Sequence, residues 1–490
     1  MARTDRASRL SLGRARPDRV VTRLGRAAGA VLAVAVAAGA LAGSQVSRGG
    51  RPLDLQVDGG AAQPAPSMPG LVSAGPVPNT PIKHVVIFMK ENRSFDEYFG
   101  KFPGVDGATT GQMSNGQTVA LAPTPDPMPN DIVHQYKSFL DAYNGGAMNG
   151  FDLERGAFST TGQNLAYTQM SESQIPNYWA YAKRYAIGDR FFASGKGPSF
   201  VNNLFSVAGQ AGQFDPSLAG RTALNLPDSG FQPRLSPWGC DSPPDTLVPM
   251  LDMMSGAASE SFPCFNFPPM PVVLEQHGIS WNFFGGPGDT GFEHNALDAM
   301  STVRNQPSMW AKVKPILQFQ RDAAAGRLPA VSWIAAAQNE HPPASACAGE
   351  NETVGFLNAL MNGPDWSSTA VFIFWDEWGG FYDHVPPPQI NPLSYGFRVP
   401  FLVISPWTKT GSSSDGGTVS STLYSQPSIL HFIETNWGLP SLTPATASAN
   451  NVTDLFDFSA PSKDKLILSR RNCHSLSPAE QQLLQTRPSD

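Results

Sequence analysis

The hydrophobic pattern of this chain alternates between short apolar runs and stretches in which apolar residues recur at helical spacing. The apolar runs predict buried strands at Val85–Met89, Val331–Ile334, Ala370–Trp375 and Pro400–Ile404. The helical spacing predicts helices over Pro176–Arg184, Met309–Ala325, Glu350–Met361 and Pro427–Trp437. Buried strands that alternate with helices predict an α/β fold, with a largely parallel central sheet and helices on both faces.

Two of the apolar runs stop abruptly at acidic or amide side chains. The first run is followed by Glu91 and Asn92, and the third by Asp376 and Glu377, after which comes a Gly-Gly pair. Carboxyl ends of parallel strands are where α/β sheets place ligands, and oxygen donors suit a divalent metal. The alternative interpretation of Asp376 and Glu377 is as helix caps, but two glycines at that point argue against a helix start.

A third polar cluster contains a candidate nucleophile. The segment Ser194-Gly-Lys-Gly-Pro-Ser199 leads into an amphipathic stretch, which places Ser199 near a helix N-terminus. A helix dipole and free amides there would stabilise an alkoxide or a bound phosphate. The competing interpretation is an ordinary N-cap serine.

Two of the eight histidines stand out by their sequence context, His341 shortly after the apolar run Val331–Ile334 and His294 between Glu293 and Asn295. His341 and His294 could protonate a leaving alkoxide or donate to phosphoryl oxygens, although a single histidine is more often structural. His384 is expected to orient the acids beside it. Asp383 and Asn202 remain candidates for supporting or undetermined roles.

Composition limits the architecture and the redox environment. A hydrophobic content of 41% in 490 residues allows a sizeable core, and 46 Gly with 45 Pro predict long irregular connections. The Pro- and Gly-rich stretch 210–270 is expected to be an insertion over one edge of the sheet. No zinc spacing occurs among the four cysteines, so two disulfides are expected, preferably Cys240–Cys264 and Cys347–Cys473, with free buried thiols as the alternative.

The N-terminus has the pattern of an export signal. Eight arginines precede an apolar, Ala-rich stretch that ends near residue 42, which favours a cleaved signal peptide over a membrane anchor. The predicted organisation is a signal over 1–42, a flexible leader over 43–80, a catalytic domain over 81–460 and a tail over 461–490. The protein is therefore expected to be secreted, periplasmic or at the cell surface, without a stable membrane span.

Charge excludes some partners of the exported chain. Removing the eight arginines and two aspartates of the signal from 34 basic and 40 acidic residues leaves a net charge of −12. So acidic a protein is not expected to bind nucleic acid or an anionic membrane surface. The sequence does not indicate an oligomeric state.

Five motifs together resemble one known family. They occur in order as Glu91-Asn-Arg-Ser-Phe-Asp96, Gly197-Pro-Ser199, Glu340-His-Pro-Pro343, Trp375-Asp-Glu377 with Gly379-Gly-Phe-Tyr-Asp-His384, and Arg398-Val-Pro400. This set resembles the bacterial phosphoesterase family of phosphatidylcholine-type phospholipases C and a related secreted acid phosphatase. The family is similar in fold to the alkaline phosphatase and sulfatase superfamily. The resemblance spans roughly residues 81–438.

The resemblance implies roles for the candidate residues. One divalent metal ion, of unknown identity among Ca, Mg, Mn and Zn, would bind Glu91, Asn92, Asp376 and Glu377. Ser199 would attack phosphorus and form a phosphoseryl intermediate that water hydrolyses. His341 and His294 would contact the phosphate or protonate the leaving alcohol, while Arg93, Ser94 and Asp96 would hold their loop.

The implied substrate is a phosphoester. Phospholipase C activity on phospholipid phosphodiesters is favoured, and acid phosphatase activity on monoesters is the alternative. The chain departs from the family pattern at Val201-Asn202-Asn203, where Pro-Asn-Arg is usual, and at Glu293-His294, where a His pair is common. These departures leave a third hypothesis, a catalytically impaired surface binding protein on the same scaffold.

Overall fold

The computed structural model describes residues 80–227, 238–289, 294–337, 340–391, 394–411, 415–459 and 463–473. The predicted signal peptide and almost all of the predicted leader lie outside these residues. The strands are β1 (His84–Lys90), β2 (Thr110–Gln112), β3 (Thr118–Ala120), β4 (Ala122–Pro123), β5 (Thr168–Gln169), β6 (Ala186–Gly188), β7 (Arg221–Ala223), β8 (Val248–Asp252), β9 (Ala258–Ser261), β10 (Trp281–Phe284), β11 (Val313–Lys314), β12 (Val331–Ala335), β13 (Thr369–Trp375), β14 (Phe401–Ile404) and β15 (Thr418–Ser420).

The helices are α1 (Phe95–Phe99), α2 (Tyr136–Tyr143), α3 (Pro176–Arg184), α4 (Ser199–Ala208), α5 (Met270–Gln276), α6 (Ser301–Arg304), α7 (Pro307–Trp310), α8 (Ile316–Ala324), α9 (Ala346–Asn362), α10 (Gln426–Trp437) and α11 (Pro444–Ser448). Within the described residues, none of the helices combines the length and the apolar character that crossing a membrane requires.

An eight-stranded sheet forms the centre, in the order β11-β10-β12-β1-β13-β14-β6-β15. All neighbouring pairs are parallel except the two that involve β14. The prediction of a largely parallel sheet is therefore confirmed. Strands β1, β12 and β13 are apolar along nearly their whole length, as expected for strands that are covered on both faces.

Helices cover both faces of this sheet. On one face the ring of Phe88 in β1 lies 5.4 Å from Phe356 in α9, and α8 packs beside it. On the other face Phe372 in β13 lies 5.2 Å from Phe432 in α10, and the Trp333 indole of β12 donates to a carbonyl in α4. The core is thus a three-layer sandwich that holds the strand ends in fixed positions.

The prediction of a single helix over Met309–Ala325 is wrong. Helix α7 ends at Trp310, β11 then pairs with β10, and α8 begins after Pro315. Proline has no N–H and clashes with the preceding turn, so it cannot continue a helix through that point. The apolar Val313 contributes instead to the edge of the sheet.

Both preferred disulfides are present, Cys240–Cys264 and Cys347–Cys473. The first lies in the region of the predicted insertion, where β7, β8 and β9 form a small antiparallel sheet. The second joins α9 to residues near the C-terminus. Arg471, two residues before that cysteine, forms an ion pair of 2.7 Å with the buried Glu350 of α9.

Candidate active site

Four adjacent parallel strands, β10, β12, β1 and β13, end at the same edge of the sheet. The segments that follow them carry most of the predicted site residues. These are His294 after β10, His341 after β12, Glu91 and Asn92 after β1, and Asp376 and Glu377 after β13. The sheet topology therefore directs side chains from four distant parts of the sequence towards one place.

The two candidate metal-ligand pairs are held against each other by backbone contacts. Lys90 and Trp375 are register partners at the ends of β1 and β13, and the Asp376 amide donates to the Lys90 carbonyl at 3.0 Å. Gly379 has a φ of +62°, and a Cβ added there would lie 2.3 Å from the Asn92 carbonyl oxygen. Only glycine permits this approach of the two backbones.

The Asn92 amide connects the first ligand pair to Ser199. His134 Nδ1 lies 2.5 Å from the Ile132 carbonyl, which can only accept, so Nδ1 carries a proton. In the neutral ring Nε2 is then an acceptor, and it lies 3.0 Å from Asn92 Nδ2. This orientation turns Asn92 Oδ1 towards Ser199, whose hydroxyl donates to it at 3.3 Å.

Ser199 is the first residue of α4, a ten-residue helix, and its side chain is buried. The N-cap is Pro198 rather than Ser199, so the alternative interpretation of Ser199 as an N-cap is wrong. The hydroxyl therefore lies where the helix dipole favours negative charge.

Asn202 holds the loop that precedes Ser199. Its Oδ1 accepts from the Gly195 amide at 2.9 Å, and its Nδ2 donates to the Gly197 carbonyl at 3.0 Å. These bonds are within the loop and its helix, which indicates a supporting position for Asn202.

The acidic side chains form a buried group of like charges. Burial raises the pKa of Asp376 well above its usual range, and the neighbouring carboxylates of Glu91 and Glu377 raise it further. Asp376 Oδ2 is buried and accepts no hydrogen bond within the part of the chain that the structure describes. Three carboxylates and an amide oxygen form a donor set that suits a divalent cation, and Asp376 Oδ2 is an acceptor still without a hydrogen bond among the described residues. Such a cation would neutralise the repulsion between the carboxylates.

Of the predicted histidines, His294 contacts this group directly and His341 lies beside His134, which contacts it. His294 Nδ1 lies 2.7 Å from Glu91 Oε1, and the Trp238 ring packs edge-on at 4.9 Å. His341 Nδ1 lies 2.7 Å from the Pro342 carbonyl, which can only accept, so Nδ1 carries a proton. The His341 ring is 5.3 Å from that of His134.

The structure assigns His384 to a different cluster from the one predicted. Its ring nitrogens face Asp96 at 2.6 Å and Asp106 at 3.2 Å instead of the acids after β13. Asp383 accepts from the buried Arg398 guanidinium at 2.9 Å, and burial raises its pKa to about 6 against the opposing charge of Arg398. Sequence adjacency to Glu377 was misleading because the chain turns away after the Gly-Gly pair.

Asp96, Asp383 and His384 have the geometry of a metal site, but a cation already lies among them. Arg398 contacts both carboxylates and also donates to the carbonyls of Asp106 and Asp189. We therefore interpret this cluster as an ion-pair network that ties loops together. Asp96 accordingly holds its loop, and so does Ser94, which donates to the Tyr382 carbonyl at 2.7 Å.

Two residues were missed from the sequence, His134 at the site and Lys196 in the loop that precedes Ser199. His134 lies in a polar segment without any strand or helix pattern, and its ring is also 3.4 Å from Glu377 Oε1. Lys196 is three residues before Ser199, and burial lowers its pKa to about 8. Its ammonium lies 5.4 Å from the centre of the Phe139 ring. A lysine between two glycines beside a predicted nucleophile was a signal that could have been used.

A family model described as "Phosphoesterase family" matches residues 82–440. A protein named non-hemolytic phospholipase C from Burkholderia pseudomallei is 29% identical over 449 residues, which cover 78% of this chain but only 59% of that relative. A protein named phospholipase C A from Mycobacterium tuberculosis is 28% identical over 465 residues, which cover 81% of this chain and 82% of the relative.

Among solved structures, the chain is similar to a protein of the alkaline phosphatase superfamily from Vibrio parahaemolyticus. The TM-score is 0.35 at 11% identity, and the similarity covers 78% of this chain and 72% of the other. The α/β assignment itself rests on the strand pairing described above.

Proposed function

The chain belongs to the Phosphoesterase family and is a hydrolase of phosphoric esters, and we propose that it is a phospholipase C. The observation that carries the proposal is the contact between Ser199 and Asn92, which joins a nucleophile at a helix N-terminus to a buried group of acids. Several relatives that align over most of this chain are named phospholipase C, which favours a phosphodiester over a monoester substrate.

In the proposed reaction the Ser199 hydroxyl releases its proton to solvent, its oxygen attacks phosphorus, and the alcohol leaves from the opposite side. The bond from phosphorus to the leaving oxygen breaks, and His341 Nε2 or His294 supplies the proton that the alcohol takes up. Water then attacks the phosphoserine and releases the phosphorylated product with Ser199 restored. The α4 N-terminus stabilises negative charge on the phosphoryl oxygens throughout.

One divalent metal ion completes the proposal. Glu91, Asn92, Asp376 and Glu377 would hold it, beside the Ser199 hydroxyl. When bound, such an ion supplies Lewis-acid stabilisation of charge at phosphorus. Its chemical identity is open among Ca, Mg, Mn and Zn.

Export is part of the same proposal. Two disulfides are typical of proteins that mature in an oxidising compartment. Together with the arginine-rich and then apolar N-terminus, they support an enzyme that acts outside the cytoplasm.

The test compares matched chromogenic phosphate monoesters and diesters, together with phosphatidylcholine vesicles, in the presence of added divalent metal. We expect faster hydrolysis of diesters, and a loss of at least about 10³-fold in kcat for Ser199→Ala with metal binding retained. Ser206→Ala is the matched control, because Ser206 lies on the same helix and donates to the Asn203 carbonyl.

Three other outcomes of these assays would contradict the proposal. Preference for the monoester would assign acid phosphatase activity instead. Substantial turnover by Ser199→Ala would remove the nucleophile assignment. Metal binding without hydrolysis of any of these esters would favour a binding protein on the same scaffold.

A further inference from the structure

Glu340, the residue before His341, is buried, and four donor side chains lie within hydrogen-bond distance of its carboxylate. Its Oε1 is 3.0 Å from Lys90 Nζ, and its Oε2 accepts from the Tyr98 hydroxyl at 2.6 Å and from the Trp375 indole at 3.2 Å. Tyr178 also donates its hydroxyl to Oε1. Bonds of this kind to an ionised acceptor are among the stronger hydrogen bonds in proteins.

These donors are not scattered through the core. Lys90 is the last residue of β1 and directly precedes Glu91, while Trp375 is the last residue of β13 and directly precedes Asp376. Arg93, on the other side of Asn92, donates to the Glu340 carbonyl at 2.7 Å. Glu340 therefore contacts the residues that flank both candidate metal-ligand pairs.

The backbone at Glu340 is also constrained. Its φ is +79°, a left-handed conformation that is strained for a non-glycine residue and persists only where the surroundings enforce it. Helix α9 approaches so closely that a Cβ added to Gly349 would lie 2.1 Å from Glu340 Cγ. The hydrogen bonds of the carboxylate and the close approach of α9 hold Glu340 in this conformation. The backbone direction at Glu340 in turn sets the position of the next residue, His341.

From these contacts we propose that Glu340 is a positioning residue, which fixes His341 relative to the two metal-ligand pairs. The proposal rests on the proposed function, because it assigns His341 the role of proton donor to the leaving alcohol. Lys90 neutralises the buried carboxylate, and Tyr98, Tyr178 and Trp375 fix its direction. A change at Glu340 moves His341 without removing any group that contacts substrate.

The primary test is Glu340→Gln, which keeps the size of the side chain but removes its charge and two acceptor positions. Kinetics are measured with two diesters, one with a nitrophenolate leaving group and one with an alkyl alcohol. A proton donor matters most for the poor leaving group. We expect kcat to fall about 10–100-fold for the alkyl ester and much less for the nitrophenyl ester, with KM and metal affinity within about twofold of wild type.

His341→Asn supplies the reference pattern. If Glu340 acts through His341, both single variants show the same dependence on the leaving group, and the double variant is no slower than His341→Asn alone. Equal losses for both esters, or fully additive losses in the double variant, would overturn the proposal.

Glu350→Gln is the matched control, because Glu350 is an equally buried glutamate on α9 whose partners are Arg471 and the amides at the start of α3. It is expected to lower stability without altering the ratio of the two ester rates. Inactive wild-type enzyme would count against the proposed function itself, whereas an active wild type with unaltered Glu340→Gln kinetics would reject only the positioning role.

Tyr98→Phe and Tyr178→Phe serve if Glu340→Gln does not fold. Each removes one hydroxyl donor and leaves the carboxylate in place. We expect a smaller loss with the same preference for the alkyl ester. Lower stability with an unchanged ratio of the two rates in both variants would contradict the proposal.

Discussion

At the scale of single residues, the orientation of one amide decides what the Ser199 hydroxyl meets. His134 accepts from Asn92 Nδ2 because its own Nδ1 proton is directed to the Ile132 carbonyl. Asn92 also has a φ of +67°, a left-handed conformation that asparagine tolerates better than most residues. The oxygen of the amide is thereby presented to the candidate nucleophile and metal.

We predict that His134→Ala lowers kcat or metal affinity about 10–100-fold, as is typical for partners that orient metal ligands. Metal affinity by calorimetry and the kinetics of diester hydrolysis measure the two effects separately. His431→Ala is the control, because that ring also lies within hydrogen-bond distance of a backbone carbonyl, that of Ala449, but on α10. Equal behaviour of the two variants would contradict the orienting role.

Site residues that directly follow a strand could be predicted from the sequence. Residues whose role depends on contacts with distant segments could not. Glu91, Asn92, Asp376 and Glu377 follow apolar runs, and that pattern is visible in one dimension. His134 has no such pattern, and the partners of Glu340 come from four separate segments. His384 was expected to orient the acids near it in sequence, and Asp383 had no defined role, whereas the fold directs both to the network of Arg398.

At the scale of elements, the loops around the site are joined by the network of Arg398. It connects the loop after β1, through Asp96, with the loop after β13, through Asp383, and with the segment after β6, through the Asp189 carbonyl. His384 contacts Asp96 and Asp106 on the side of the network that faces solvent. Burial lowers the pKa of His384, but the hydrogen bond and charge of Asp96 outweigh burial, and the net shift is upward.

This shift predicts a pH dependence of stability. Because the pKa of His384 is raised in the folded state, its contribution is complete below the unfolded value near 6.5 and is lost as pH rises through the folded value. We therefore expect His384→Asn to lower the free energy of unfolding more at pH ~6 than at pH ~9. Urea unfolding at both pH values measures this, and an equal or opposite difference would contradict it.

Helices and strands were predicted correctly where the apolar residues keep a regular spacing. The predicted helix Pro176–Arg184 has the observed bounds of α3, and the four predicted strands exist within one or two residues. The exception, Met309–Ala325, contains a two-residue edge strand whose pairing with β10 is a non-local contact. Periodicity within a short window does not contain that information.

At the scale of the whole molecule, the two disulfides restrain very different lengths of chain. Cys347–Cys473 joins residues 126 apart, and Cys240–Cys264 joins residues 24 apart. In the chain-entropy description, the longer loop restricts the unfolded state more, by about 1.5 kcal/mol.

We predict that the double variant Cys347→Ala/Cys473→Ala loses more unfolding free energy than Cys240→Ala/Cys264→Ala by roughly that amount. Denaturant unfolding of both variants and of the wild type gives the comparison. A greater loss from the shorter loop would show that native-state packing of the insertion, rather than chain entropy, dominates.

The position of β1 in the sheet has a consequence for the order in which this protein matures. It is the first strand among the residues that the structure describes, yet its two neighbours are β12, which begins at residue 331, and β13, which begins at residue 369. Until those residues have been synthesised, β1 has no strand to pair with on either edge. Glu91 and Asn92, which follow β1, then lack the opposing pair Asp376 and Glu377. Folding of the central sheet is therefore a late event of synthesis, because the partners of β1 come from much later parts of the chain.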